Sequence, residues 1–191
     1  MDVIYSRGLS FDDRVLTVLR LSHWARVHFE MWRVYTHPDS YSELQEPILE
    51  FMGFTVFDEH AHRTLALLYL NALFERDTKT INLKGLLDAV EKARPTDGLP
   101  GTYLTDIAKA HETIRKVAQI RGAAIAHRTA AKSHDQIYAD AGLTVDQLDS
   151  LISLAERCAE ALRTFSNVPP RPASIDPAAT LKRLLEHLRD F

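Results

Sequence analysis

An arginine and a histidine enclose a run of small and apolar residues in the second half of the chain. Arg121 and His127 are separated by Gly-Ala-Ala-Ile-Ala, within the segment IRGAAIAHRT at 120–129. A guanidinium binds a phosphoryl group through a fork of N–H donors, and an imidazole transfers protons near pH 7. The two side chain types are therefore suited to chemistry on a phosphate ester, provided that both reach the same atoms.

The spacing of these two residues places them on different faces of a regular helix. At roughly 100° per residue, positions six apart differ by about 120° around a straight helix and by about 9 Å along it. Arg121 and Arg128, seven apart, share a face to within about 20°. Arg121 and His127 therefore converge on one ligand only if the helix ends or bends near Ala126, or if a second subunit completes the site.

Cations are concentrated around this motif. Residues 113–134 carry five of them and no acid, while the whole chain has a net charge of −3. Such segregation favours a phosphate-bearing ligand. Besides Arg121, the candidate RNA- or phosphate-binding residues are Arg115, Lys116, Arg128 and Lys132. The alternative is a solvated helix face whose acidic neighbours come from elsewhere in the fold.

The small residues of the motif indicate a close contact. Gly122 costs roughly 1 kcal/mol relative to alanine in a helix interior. Its presence, beside Ala123, Ala124 and Ala126, suggests that the approach distance matters more here than helix propensity. The approaching group is either a second helix or a ligand.

The elements that would position these residues are all helices. Apolar residues recur at helical spacing through nearly all of the chain, and no run of β-branched residues alternates with polar ones. The predicted helices span about 11–37, 41–52, 56–76, 83–93, 103–127 and 144–165. The sequence thus predicts an all-α helical bundle over 1–166, a Pro-rich linker over 167–177 and a C-terminal amphipathic helical arm over 178–191.

Two apolar stripes need to be covered. Trp24 and Trp32, eight apart on the first helix, are predicted to lie on one face within the core. On the C-terminal arm the stripe consists of Leu181, Leu184, Leu185, Leu188 and Phe191. The arm packs either on its own bundle or on a partner subunit.

Bulk properties indicate a cytoplasmic protein. The longest apolar stretch, at 65–74, is about half of what a membrane span needs, so no membrane association is expected. The N-terminus has no apolar segment typical of a secretory signal. The one cysteine, Cys158, lies in a helical pattern and reads as a small core residue, which fits a reducing compartment.

Metal and cofactor sites are not predicted. Glu59 and His62 have the Glu-x-x-His spacing of di-iron bundles, but that site needs a second copy of the motif and the sequence has none. Asp58 and His60 lie beside them, yet side chains two apart on a helix do not face each other. A structural or solvated role is the better interpretation.

The motif and its surroundings resemble a known family. IRGAAIAHRT resembles the Arg-(four to six residues)-His motif of the HEPN superfamily, and more closely its abortive-infection branch of AbiU type. The segment ALLYLNALFERDTKTINLKGLLDAVEKA at 66–93 is similar to the same branch. There a long helix ends in an acidic turn and a short helix with paired leucines follows. The resemblance covers roughly residues 14–165.

This resemblance implies a helical bundle that forms a homodimer in which the motif helices of the two subunits meet. Arg121 and His127 would then be the catalytic pair of a metal-independent endoribonuclease, a toxin-like effector of phage defence that an antitoxin could restrain. The alternative is a non-catalytic module that binds nucleotide, RNA or a protein partner. Two positions depart from the family: Gly122, where active members commonly carry a polar residue, and Thr129, where some toxins carry a tyrosine that an antitoxin modifies.

Overall fold

A computed structural model describes residues 8–77, 79–126, 132–170 and 176–189. It confirms the all-α class: every regular element within these ranges is helical. The helices are α1 (Phe11–Thr36), α2 (Pro38–Glu50), α3 (Met52–Phe74), α4 (Leu83–Ala93), α5 (Leu99–Lys109), α6 (His111–Ile120), a π-helical segment (Arg121–Ala126), α7 (His134–Ala141), α8 (Val145–Arg163) and α9 (Pro177–Arg189).

Side-chain caps fix where several helices begin. Ser10 accepts from the backbone N–H of Asp13, whose carboxylate accepts from the backbone N–H of Ser10 in return. Thr144 and Gln147 form the same reciprocal pair at the start of α8, where the sequence predicts a helix from residue 144. These caps satisfy N–H groups that have no partner within the helix.

The prediction that the second helix runs to residue 52 and stops at Gly53 was wrong. Helix α2 ends at Glu50, and the chain turns at Phe51, which has φ −100° and ψ 31°. Gly53 lies in the first turn of α3. Helix α2 likewise begins at Pro38 rather than Tyr41, because proline is well suited to the first position of a helix, where no N–H donor is needed.

The long helix predicted over 103–127 is broken in two places. At Ala110 the chain turns between α5 and α6, and the His111 ring nitrogen Nδ1 donates to the Ala108 carbonyl at 3.1 Å. The His111 side chain thus supplies a donor for a carbonyl group that loses its helical partner at the break. No proline or glycine marks this position in the sequence. The α-helical winding then ends at Ile120 and the π-helical segment follows.

The core forms where α1 packs along α3 and α8. Phe29, Leu70 and Ile152 are completely buried at this junction. Cys158 is also buried, as predicted, and its burial raises the pKa of the thiol to about 12. The prediction for Trp24 was wrong, because its side chain is 46% exposed; Trp32, in contrast, packs against the core.

The C-terminal helix α9 packs on α1 and α2 of its own chain. Leu181 and Leu185 lie in a second apolar cluster with Val34, Leu44 and Ile48. Leu184 of the predicted stripe remains half exposed, and Phe191 lies outside the described residues. In the part of the chain that the structure describes, no helix is both long and apolar enough to cross a bilayer.

Candidate functional site

Arg121 lies at a change of backbone winding. It is the first residue of the π-helical segment, which packs against α3, α6 and α7. Ala124 is buried there, and Ala123 and Ile125 pack partly buried against the core. The segment is thus held in place by its apolar residues. The Arg121 side chain stays partly exposed, and no carboxylate pairs with it among the side chains that the structure describes. Local π-helical turns are frequent at functional sites.

The other two motif residues, His127 and Arg128, lie outside the described residues. The geometry that separates Arg121 from His127 by about 120° assumes a straight α-helix. That assumption fails in this chain, because the α-helix ends at Ile120. This break precedes both residues, and the bend near Ala126 that would bring Arg121 and His127 of one chain together stays a prediction.

Three of the candidate phosphate-binding cations have partners within the chain. Arg115 forms an ion pair at 2.5 Å with Glu112, which lies just before the acid-free segment, and this contact raises the pKa of Arg115. Lys132 pairs with Asp140 at 2.6 Å. Because these pairs are exposed to solvent, they are weak, and a phosphate could displace the carboxylate.

Lys116 has a different environment. Its ammonium group donates to the Gly142 carbonyl at 2.7 Å and to the Gln147 side chain at 3.1 Å. These contacts tie α6 to the loop that leads into α8. The Lys116 side chain therefore stabilises the fold. Among the described cations of residues 113–134, Arg121 is the one that these contacts leave available to a ligand.

Gly122 makes no close contact among the described residues. A Cβ atom built there meets none of their heavy atoms within 4 Å. The close approach that the sequence predicts at this glycine is therefore not to another described helix of the same chain. A second subunit or a ligand is the approaching group that the prediction then calls for.

The sequence analysis missed a polar network between α1 and α3. The Tyr35 hydroxyl donates to Asp58 at 2.7 Å, and the same carboxylate lies 3.4 Å from His62 Nε2. His62 Nδ1 lies 2.7 Å from His28 Nδ1, so one imidazole donates to the other. The ring of His28 stacks on Tyr69. Burial lowers the pKa of His28 to about 4, and it also lowers the pKa of His62.

A second row of contacts runs beside this network and leads to α7. The Trp32 indole donates to Glu59 at 2.7 Å. The Arg63 guanidinium lies 4.5 Å from the centre of the Tyr138 ring, whose hydroxyl has a pKa raised by burial. This row braces α3 against α7, the two helices on which the π-helical segment rests. The sequence signal for both rows is polar residues three and four apart on α1 and α3.

The polar contacts of α1 with α3 account for Glu59 and His62, whose spacing resembles that of a metal-binding motif. Glu59 and His62 turn to different partners, Trp32 and His28, rather than to a common point. His60 lies exposed on the same helix. Within the described ranges no group of three or more histidine, cysteine or acidic side chains is arranged to hold a metal ion.

A hollow with a volume of about 920 Å³ lies between the end of α3 and helices α4, α5 and α6. Its lining includes Ile81, Leu104 and Ile107, together with Arg76 and Lys92. Arg121 does not line it.

Comparison with known proteins identifies the family. No curated protein and no solved structure matches the chain. The sequence model of one family, HEPN_AbiU2 (AbiU2), matches residues 11–164, which include all of α1 to α8 and the whole Arg121–His127 motif. The helical bundle, the motif and this match agree, and the chain belongs to the AbiU2 family of HEPN domains.

Proposed function

We propose that this protein is a metal-independent endoribonuclease that acts as a toxin-like effector of abortive infection in the cytoplasm. The observation that carries the proposal is the placement of Arg121. Its guanidinium is partly exposed, without a carboxylate partner among the described side chains, at a break in helical winding that leads directly into His127. Membership in the AbiU2 family supports an abortive-infection role for the domain.

The proposed reaction uses the RNA's own 2′-hydroxyl as nucleophile. His127 accepts the proton of this hydroxyl, the 2′-oxygen forms a bond to phosphorus, and the bond from phosphorus to the 5′-oxygen breaks. Arg121 binds the phosphoryl oxygens as negative charge develops on them. The products are a 2′,3′-cyclic phosphate and a 5′-hydroxyl, and the leaving oxygen receives a proton from the second histidine of the dimer.

A homodimer supplies the groups that one chain lacks. In each copy one arginine and one histidine are separated by six positions, whereas the reaction needs a base, an acid and positive charge around one phosphate. Two motifs that meet across a two-fold axis would bring two of each to one cleft. The contact-free Gly122 supports such a meeting, because it leaves room for another backbone beside the motif.

The test is RNA cleavage by purified protein in excess chelator. Wild type should cut RNA, while His127→Ala should lose cleavage and keep most RNA binding, because a neutral imidazole adds little attraction for phosphate. Arg121→Ala should weaken both binding and cleavage. Arg183→Ala, which removes an exposed cation from α9, serves as the matched control. Cleavage that persists in His127→Ala would contradict the proposal.

Two observations favour a second candidate function, a non-catalytic module that binds RNA, nucleotide or an antitoxin-like protein. Gly122 offers no side chain to orient the motif arginine. Arg115, Lys116 and Lys132 are all engaged within the chain, which leaves fewer cations to stabilise a phosphoryl transition state. Binding of RNA by wild type without any cleavage would support this function instead.

A further inference from the structure

The hollow between the end of α3 and helices α4, α5 and α6 has the size of a ligand site. Its volume of about 920 Å³ falls within the roughly 300–1,000 Å³ that is typical of small-molecule sites. The ribonuclease chemistry proposed for Arg121 and His127 does not use it. The composition of its lining indicates which class of molecule fits there.

Small residues on α4 keep the hollow open. Gly85, Ala89 and Ala93 line it at a spacing of four residues, so they share one face of the helix. The neighbouring helix α5 supplies Leu104 and Ile107 to the same lining. Because glycine and alanine have too little side chain to fill the intervening volume, a space remains between the two helices.

Apolar side chains from several elements face this space. Ile81 precedes α4, Leu104 and Ile107 belong to α5, and Ile114 belongs to α6. All four pack against the main core yet remain only partly buried. A ligand with an apolar body would remove their remaining surface from water, which is the dominant favourable contribution to most binding in such sites.

The neutral polar side chains of the lining already have partners within the chain. The Thr80 hydroxyl donates to the Asp77 carbonyl at 2.8 Å, and the Asn82 amide donates to the same carbonyl at 3.1 Å. The Asn82 side-chain oxygen accepts from the backbone N–H of Gly85, and His111 Nδ1 donates to a carbonyl of α5. Since a nucleobase or a sugar needs several free donors and acceptors, the lining is better suited to an apolar body.

The charged side chains of the lining favour an anionic group on that body. Lys84 pairs with Asp88 at 2.5 Å. Arg76 and Lys92 are exposed and form no ion pair with any side chain that the structure describes. In all, four cations and two acids line the hollow: Arg14, Arg76, Lys84, Lys92, Glu75 and Asp88. Arg76 and Lys92 are thus available to bind an anion.

We propose that this hollow is a binding site for a small organic acid. The apolar body of the acid, a ring system or an alkyl chain, lies against Ile81, Leu104 and Ile107, and its carboxylate or sulfonate lies beside Arg76 and Lys92. The inference is independent of the proposed ribonuclease function, because the hollow contains no residue of the Arg121–His127 motif among its described lining.

Anilinonaphthalene sulfonate is a suitable probe, because it joins an aromatic body to one anionic group and fluoresces when it leaves water. The full-length wild type should bind this dye, and decanoate or naphthoate should displace it. Displacement by decanoate would assign an alkyl body to the ligand, and displacement by naphthoate would assign a ring system. Failure of both acids to displace the dye would overturn the proposal.

A variant that fills the hollow locates the bound dye. Ala89→Trp should remove the displaceable dye binding and leave the helical circular dichroism unchanged. If that variant fails to fold, Ala108→Phe, at an exposed position of α5 that lines the hollow, decides. The control is Phe57→Ser, because Phe57 is 72% exposed and lies about 25 Å along α3 from Phe74 of the lining. Displaceable binding that persists in the folded filled variant, or that Phe57→Ser abolishes, would overturn the proposal.

Removing the two available cations tests the anionic group. The double variant Arg76→Ala/Lys92→Ala should raise the dissociation constant of the dye about 5- to 30-fold, as expected for the loss of two exposed charge contacts. Lys79→Ala/Arg183→Ala is the matched control, since it removes two exposed cations that do not line the hollow. Phenylnaphthylamine, which has the same aromatic body without the sulfonate, should bind wild type and both double variants equally. An unchanged dissociation constant for the sulfonate, or an equal loss of the neutral dye, would contradict the proposal whether or not the protein cleaves RNA.

Discussion

Replacing Gly122 by alanine should stabilise the isolated chain and weaken the dimer. Within one chain the added Cβ meets no described atom within 4 Å, so the substitution has no steric cost there. Removing a glycine from a helical position gains roughly 1 kcal/mol in free energy of unfolding. For a domain of this size that gain raises the melting temperature by about 2–4 °C.

The dimer should respond in the opposite direction. If a second subunit approaches Gly122 closely, the extra methyl group overpacks the contact, at a typical cost of about 1–3 kcal/mol. Since about 1.4 kcal/mol corresponds to a tenfold change in affinity, the dimer dissociation constant should rise about 5- to 150-fold. Opposite signs for the two effects would place the glycine at a contact between chains.

The assay combines thermal unfolding with sedimentation. Melting temperature is measured for wild type and Gly122→Ala at concentrations low enough that each chain is monomeric, and the dimer dissociation constant is measured for both by sedimentation. Gly101→Ala, in the first turn of α5, is the control and should leave the dimer constant unchanged. A stabilised monomer with an unchanged dimer constant would refute the idea that the small residues face a second chain. A destabilised monomer would refute the account of the local packing.

Two further predictions concern the fold that holds the motif. Arg26→Ala should lower the free energy of unfolding by about 2 kcal/mol, because the side chain forms ion pairs with Asp149 at 2.6 Å and Glu156 at 2.9 Å between α1 and α8. A urea titration that shows a loss under about 0.5 kcal/mol would contradict this. The stability of the wild type should be fully present above about pH 6.5 and decline as pH falls towards 4, because the folded-state pKa of His28 is depressed to about 4 and folding must then expel a proton. The free energy of unfolding should change by at most about 1.4 kcal/mol per pH unit for each histidine. His28→Gln should reduce this pH dependence, as measured by denaturation series at pH 7.5 and pH 5. An equal pH dependence in that variant would show that the pair of His28 with His62 is not responsible.

Local patterns in the sequence were sufficient to predict the all-helical class, several helix starts and the family. The caps at Ser10 and Thr144 depend only on residues three positions apart, and helical periodicity depends on neighbours along the chain. The break at Ala110 depends instead on how α5 and α6 each reach the core, and no local residue signals it. The prediction therefore joined two helices that the fold separates.

The candidate site was predictable only in part. Arg121 and His127 form a short motif whose residue types carry their chemistry, so it could be found without a fold. The network from Tyr35 to His28 joins α1 to α3 and becomes visible only when the two helices are packed. In the same way, Glu112 pairs with Arg115 and Asp140 pairs with Lys132, yet both acids lie outside the acid-free segment 113–134. The charge of that segment therefore seemed uncompensated in the sequence.

The most direct test of the central claim is the chemistry of RNA ends after incubation with the protein in excess EDTA. The account predicts that wild-type dimer produces fragments with 2′,3′-cyclic phosphate and 5′-hydroxyl ends, and that equimolar His127→Ala, with the same mass and melting temperature, produces none. Intact RNA with wild type, or the same fragments with His127→Ala, would contradict the claim that Arg121 and His127 form a metal-independent ribonuclease site.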